Sequence, residues 1–505
     1  MKILRKAAAL LSAALLLGTG FSASAEALDL DAALANEDWN NIVEACMEKD
    51  QAPGLALAAV SGGEVRYKNW GMSDLAAQTQ VTEDTVFQIG SCSKAFTALS
   101  VLLLQEEGKL SIEDSIGDYL PWWHVTYQGQ DADVKIWQVL NHCAGIPNGE
   151  TMAKYPFGTD SSLTEKTARI AENLELAREP GKQFEYCNLD YCILAYLTQT
   201  VSGMPFSEYV EQNILQPIGM THSGYDLPTA QGYIQFFGKT KAYTPEPMKG
   251  SEGDGFLITT PKDMARWMQA QLGDLDLPEN LANAIEASQT VLPEHQPEID
   301  EGDNYFNGWI ILENGLLIHT GMNPTFTSMV IIDREKDTAV FSVSNSVTNA
   351  SEAAYPFYMT LIGDKKTAEY PVSANMMTLL DRVSMIAGYI FGGLLIIALI
   401  SLLTQGRRLI KKGSTVRRER IRLIVRLIFL LPLLGLAIAL PYLLGMLLGY
   451  QGFGYTMIWY WGAHSFIVTT GVLIALFLLL ILISIKRFFW CKRDAKLRTE
   501  AMHAE

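Results

Sequence analysis

The apolar positions of this 505-residue chain fall into two regimes, and the border lies near residue 380. Past it, Val383–Leu403, Leu427–Tyr450 and Phe466–Ile485 are apolar on every face, near or above the roughly 20 residues a bilayer core requires. Leu427–Tyr450 holds no charge, and its Pro432 and Pro441 are tolerable where neighbouring helices satisfy the backbone. Before the border the pattern is that of a folded domain with a wet side. A helical stretch over Leu30–Glu48 precedes two short apolar-rich runs, Gly54–Ser61 and Glu64–Trp70, which Gly62-Gly63 joins as a hairpin. A helix beginning near Ser91 carries Phe96, Leu99, Leu102, Leu103 and Leu104 as its apolar face. Residues 110–230 are mostly helical in pattern, broken at Pro121, Pro147, Pro180 and Pro217. Thr260-Pro261-Lys262-Asp263 is a helix start, with an N-cap Thr, Pro first and an acid third. Strand-rich runs follow at Asn307–Leu312, Leu316–Thr320, Thr327–Asp333 and Thr338–Ser344, the first two joined by Asn314-Gly315. Strands at both ends with helices between predict an α/β (α+β) domain: one antiparallel sheet flanked by helices, with an inserted helical region.

Charge orients the second regime. Nine basic residues lie between Arg407 and Arg426 and six between Lys486 and Arg498, whereas residues 451–462 have none and are rich in Tyr and Trp. By the positive-inside rule the first connection and the tail are cytoplasmic, and the domain before Val383 is outside. Residues 1–25 say the same independently: Lys2, Arg5 and Lys6, an apolar run over Ala7–Leu17, then Ala23-Ser24-Ala25, read as a secretory signal. The expected organisation is a signal peptide (1–25), an extracytoplasmic domain (26–370) and an all-α membrane region (371–505), a multi-pass protein whose macroscopic partner is the lipid bilayer.

The net charge of −16 conceals a division. From Asp381 onward 16 basic residues face 5 acidic ones, while the exported domain has 20 against 50, a balance near −30. Such a surface repels nucleic acid, so no nucleic-acid partner is expected. Five cysteines, Cys46, Cys92, Cys143, Cys187 and Cys192, are outside, an odd number that excludes complete pairing among themselves. The seven histidines form no HExxH or cluster, and no metal or other cofactor is expected.

Ser91-Cys92-Ser93-Lys94 opens the amphipathic helix as an S-x-x-K element. Residues three apart share a helix face, so Ser91 and Lys94 can touch, and the helix N-terminus favours a developing alkoxide. One S-x-x-K arises about once by chance in a chain this long, so its company decides. Tyr186-Cys187-Asn188 stands in a loop opened by Pro180-Gly181, before another apolar helix. His319-Thr320-Gly321 ends a strand that leaves a hairpin. A nucleophile needs a base, and Tyr186 can serve as a phenolate stabilised by cations such as Lys94. A strand edge at Gly321 can bring backbone N–H groups to a developing oxyanion.

With these elements in place, FQIGSCSKAFTALSVLLLQEEGKLSIEDSIGDYLP resembles the nucleophile region of the class C β-lactamase, D-alanyl-D-alanine carboxypeptidase and esterase family. NHCAGIP, FEYCNLDYCILAYLTQTVSG, ILQPIGM and HTGMNPTFTSMVIIDRE resemble its later blocks, in the family's order, over roughly Gly54 to Ser346. The resemblance implies a serine β-lactamase-like fold and an acyl-enzyme on Ser91, with Lys94 and Tyr186 managing the proton. It further implies that Asn188 orients Lys94 and the substrate amide, and that the N–H groups of Ser91 and Met322 form the oxyanion hole beside Gly321. One departure stands out. The third block usually begins with Lys where a penicillin carboxylate is gripped, and here it begins with His319, a poorer anchor. The expectation therefore moves from a β-lactamase toward hydrolysis of a peptide-like amide or an ester. Cys92 and Cys187 are read as small packing residues.

An exported domain of this family followed by three membrane helices is also similar to the peptidases that remove an N-acyl-D-asparagine cap from secreted natural products. A penicillin-responsive receptor is the competing class, and it would need a cytoplasmic output. The chain after Ile485 has only 20 residues. A catalytically dead scaffold is disfavoured, because Ser91, Lys94 and Tyr186 are all present.

Overall fold

Strand β1 (Gly54–Ser61) is buried along its whole length because both faces of its sheet are covered. Leu55, Leu57 and Ala59 enter one apolar cluster, and Ala56, Ala58 and Val60 enter the other, as alternation along a strand requires. The computed structural model describes residues 28–154, 162–246, 248–296, 304–364, 371–404, 415–447 and 454–503, so the expected signal peptide lies outside it. Strands β2 (Glu64–Asp74) and β3 (Thr79–Gln80) follow β1. From the far end of the domain come β4 (Asn304–Phe306), β5 (Trp309–Ile311), β6 (Leu317–Asn323), β7 (Phe326–Asp333) and β8 (Thr338–Ser344). They form one antiparallel sheet of eight strands, ordered β4-β5-β6-β7-β8-β1-β2-β3. The seam between the chain ends is β1 on β8, in the register Leu55↔Ser344 to Ser61↔Thr338. The sheet closed by both chain ends is as expected.

One sheet face is covered by α1 (Leu30–Ala35), α2 (Glu37–Asp50) and the later helix Ala354–Leu361. The single helix expected over Leu30–Glu48 is broken at Asn36, whose extended backbone ends α1 and whose side chain accepts from Asp38 N at 2.9 Å to start α2. Trp39 of α2, fully buried, meets Phe357 edge-on at 4.9 Å and Trp70 of the sheet at 5.7 Å. Its loss would cost about 3–5 kcal/mol. The other face carries α3 (Ser93–Glu106), α4 (Asn188–Ser202) and α5 (Pro261–Leu272). Helix α5 starts as expected, with Thr260 accepting from Asp263 N at 3.0 Å. The strand expected over Asn307–Leu312 instead begins at Trp309, because Asn307-Gly308 forms the turn of a hairpin with β4. Asn307 and Gly308 both take positive φ, and a side chain at Gly308 would meet Ala95 Cα at 2.7 Å. The chain turns there to clear the start of α3.

Three long helices follow the domain: α6 (Ala354–Leu361) leads to α7 (Met376–Thr404), α8 (Val416–Leu447) and α10 (His464–Met502), with the short α9 (Tyr455–Tyr460) between the last two. All three are long and apolar enough to cross a membrane. Each extends beyond the stretch expected from its apolar run, because polar ends continue the helix past the apolar centre. Asp381 in α7, expected only as an end-of-helix charge, is 4 % exposed and accepts from Phe237 N at 2.8 Å, Gly238 N at 2.7 Å and the Ser465 hydroxyl of α10. The hairpin Tyr233–Ala242 is thereby fastened to two of the long apolar helices. The uncharged connection also folds back: Met457 and Tyr460 of α9 are buried in the main core of the domain.

Candidate active site

The nucleophile turn is set by close backbone packing. Gly90 has a φ of +53°, and a Cβ there would collide with the Met322 amide nitrogen. A Cβ on Gly321 would collide with the Ile89 carbonyl oxygen. Strand β6 and residues 89–91 therefore lie backbone to backbone, which only glycine permits at both positions. The contact brings the Met322 amide next to the residue preceding Ser91. Around it, Ser328 Oγ donates to Ile89 O at 2.7 Å, and Cys92 Sγ lies 3.2 Å from Ser328 Oγ and 3.4 Å from His319 O. Burial pushes the Cys92 thiol up to about 12 and the Cys187 thiol well above its ordinary range, so both are packing groups rather than nucleophiles.

Ser91 lies in a single tight 3₁₀ turn, Gly90–Cys92, and the α-helix begins only at Ser93. The expected contact gains from this, because residues three apart eclipse in a 3₁₀ turn. Lys94, with no exposed surface, donates to Ser91 Oγ at 3.1 Å, to Asn188 Oδ1 at 2.8 Å and to the carbonyl oxygen of Asp254. An ammonium has three N–H groups, and each finds an acceptor. Its nitrogen also stands 4.9 Å from the centroid of the Tyr186 ring. Asn188 is the first residue of α4, so the Tyr186-Cys187-Asn188 loop is carried by a buried helix.

Asp254 was not legible as a site residue, since any residue supplies a carbonyl. Its setting was the only clue: Gly253 and Gly255 flank it, and a Cβ on Gly253 would collide with Tyr191 O. Thr97 Oγ1 donates to Gly253 O at 2.7 Å and Leu257 N donates to Ser93 Oγ at 3.1 Å, which ties this segment to α3.

His319 is 2 % exposed on β6, with Nδ1 2.7 Å from Thr320 O and Nε2 3.3 Å from the Tyr305 hydroxyl. Burial, then the charge of Lys94, lowers its pKa to about 3, so the imidazole is neutral near pH 7. Behind Tyr186 sits a second histidine that sequence reasoning quoted in NHCAGIP without giving it a task. His142 Nδ1 is 2.7 Å from Asp190 Oδ2, both side chains fully buried. Burial lowers the histidine well below its ordinary range and raises the aspartate well above its own.

A serine hydroxyl held by a buried lysine, on the first turn of a helix packed beneath an antiparallel sheet, defines a penicillin-recognising architecture. Residues 39–363 match the family described as Beta-lactamase, and the chain belongs to that family. It is 26% identical over 320 residues to Protein flp of Staphylococcus aureus, covering 62% of this chain and 63% of that protein. It is 27% identical over 288 residues to the Unguisins hydrolase ungD' of Aspergillus campestris, covering 52% of each. The chain thus spans less than two thirds of the length of these curated relatives. Among solved structures it is similar to the octameric penicillin-binding protein homologue from Pyrococcus abyssi, with a TM-score of 0.56 and 26% identity over 69% of this chain and 80% of that one. A class C β-lactamase shares the fold with a TM-score of 0.56 and 20% identity, over 65% and 96%.

Proposed function

We propose that the protein is a membrane-anchored, extracytoplasmic serine hydrolase that acts on a peptide-like amide or an ester through an acyl-enzyme on Ser91. The observation that carries the proposal is the Lys94 ammonium, buried without exposed surface and bonded to Ser91 Oγ, Asn188 Oδ1 and the Asp254 carbonyl. Two of those acceptors fix the ammonium, and the third is the reacting oxygen.

In the first half-reaction Ser91 Oγ attacks the substrate carbonyl carbon while Tyr186 takes the hydroxyl proton. The charge that develops on the carbonyl oxygen is received by the Ser91 and Met322 amides. Collapse breaks the bond to the leaving group, which takes the proton from Tyr186. Water then attacks the ester, gives its proton to Tyr186, and Ser91 leaves with that proton. Asn188 holds Lys94 and offers its amide to the substrate. Catalysis by these side chains requires no cofactor. The neutral His319 supports an uncharged or amide-bearing substrate over one gripped by its carboxylate, which weighs against a β-lactamase. The relative whose name is Unguisins hydrolase supports hydrolysis as the reaction class. A D-amino-acid-specific peptidase that removes an N-acyl-D-asparagine cap is the second reading, favoured by the three apolar helices that follow the domain.

The orientation rests on charge and contact together. Basic residues crowd the first connection and the tail, whereas the uncharged connection packs into the hydrolase core through Met457 and Tyr460. Full-length protein in membranes should be labelled by a fluorophosphonate on Ser91, and labelling should vanish in Ser91→Ala. A folded preparation that takes up no probe would sink the proposal. Turnover of D-amino-acid peptides, N-acyl-D-asparagine conjugates, simple esters and nitrocefin then ranks the substrate classes.

A further inference from the structure

Tyr186 stands in an irregular segment, yet its phenol has to meet Ser91 in one place. What holds it is His142. The His142 carbonyl accepts from Glu185 N at 2.8 Å, and the Cys187 amide lies 3.3 Å from its Nδ1, so one residue meets the amides of the residues on either side of Tyr186. The imidazole also packs on the Tyr186 ring at 4.5 Å between centroids. To reach all three, His142 takes a φ of +55°, a conformation that a side chain of this size adopts at a cost. Asp190, in the first turn of α4, fixes the imidazole from behind at 2.7 Å.

We propose that His142, held by Asp190, is the positioning residue for Tyr186. It keeps the two flanking peptides and the ring face in register with the nucleophile. Burial disfavours a charge on either partner of the pair. The groups that face the imidazole are Asp190, Lys94, His319, Tyr186, Tyr191 and Tyr305. An imidazolium there would repel the Lys94 ammonium, and an ionised Asp190 would draw Lys94 away from Ser91.

The inference rests on the assignment of Ser91 and Tyr186 above, and its test separates the two. The second-order rate of fluorophosphonate labelling is measured against pH on the full chain. His142→Gln, which keeps a polar amide but moves the acceptor out to the Nε2 position, should lower the rate about 10²-fold and displace the midpoint of the pH profile. His142→Asn, whose Oδ1 falls where Nδ1 was, should recover at least tenfold of that loss. Asp190→Asn, which keeps a hydrogen-bonding group opposite Nδ1, should lose less than Asp190→Ala. Thermal unfolding of each variant confirms that the rate is read on folded protein. Equal losses for the Gln and Asn variants, or an unmoved profile in both, would overturn the positioning role. No labelling of the native chain would instead overturn the Ser91 assignment.

Discussion

Lys94 and Asp381 are both buried with three hydrogen-bond partners each, and they do opposite things. Lys94 meets three acceptors, Ser91 Oγ among them, and Asp381 meets three donors where the hairpin Tyr233–Ala242 joins the long apolar helices. Both obey the rule that a buried charge must be answered by hydrogen bonds. The difference lies in what answers. Asp381 is bound by two adjacent backbone amides of one hairpin turn and by one hydroxyl of α10, none adjoining a second reactive group, so it can only fasten. One of the partners of Lys94 is a serine hydroxyl on a helix start with a tyrosine ring beside it. Satisfied burial makes a joint, and a reactive partner turns the same arrangement into a site.

The largest effect should come from breaking the first cluster. Lys94→Met removes the ammonium from Ser91 and leaves Asn188 and the Asp254 carbonyl unanswered; labelling of Ser91 should fall about 10³-fold. A loss under tenfold would place the proton work elsewhere. At the joint, Asp381→Ala leaves the Phe237 and Gly238 amides without their acceptor and should cost about 2 kcal/mol, read as a lower unfolding midpoint of the full chain. Ser91 labelling of the folded variant should stay within about twofold, and a collapse in its rate would mean the joint shapes the site.

The smallest effect sharpens the comparison with a buried group that goes neutral instead. The unfolded chain protonates His319 near its ordinary pKa of 6.5, whereas the folded one resists until about 3. The unfolded state therefore binds more protons in that window, and stability present above pH 6.5 drains as pH falls toward 3, by up to about 1.4 kcal/mol per pH unit. His142 and Asp190 shift in opposite directions, so their contributions to the slope oppose each other. His319→Gln should flatten the fall in unfolding midpoint between pH 6 and 4, and an unchanged slope would assign the acid sensitivity to other groups.

Much of this was legible in the sequence because side-chain type and spacing encode it. The S-x-x-K element and the Tyr186-Cys187-Asn188 loop marked residues that the fold brings together around Lys94, and the run at His319 marked a strand. The apolar runs announced the three long helices. Other parts stayed hidden for physical reasons. The Asp254 carbonyl is backbone, which every residue has. The turn at Asn307-Gly308 follows from the approach of α3, a contact with no local signature. His319 reads as a weaker carboxylate anchor in sequence, but its neutrality depends on a burial that sequence does not display. Asp381 was seen as a charge near a helix end, and its partners lie 84 to 144 residues away.

The docked helix α9 bears on how the protein can be handled. Met457 and Tyr460 are core residues of the hydrolase, yet they are encoded after two of the three long helices. Tyr460 also forms part of the wall of a cavity of about 450 Å³ that Gln88, Phe256 and Phe326 line from the domain side. A soluble version ended before Met376 would lose these plugs and bare an apolar patch near Ile234 and Phe326, inviting association in solution. Truncation is therefore better planned around the contact than around the chain order: residues 454–463 can be grafted back through a linker, or the bared patch recoded with polar side chains.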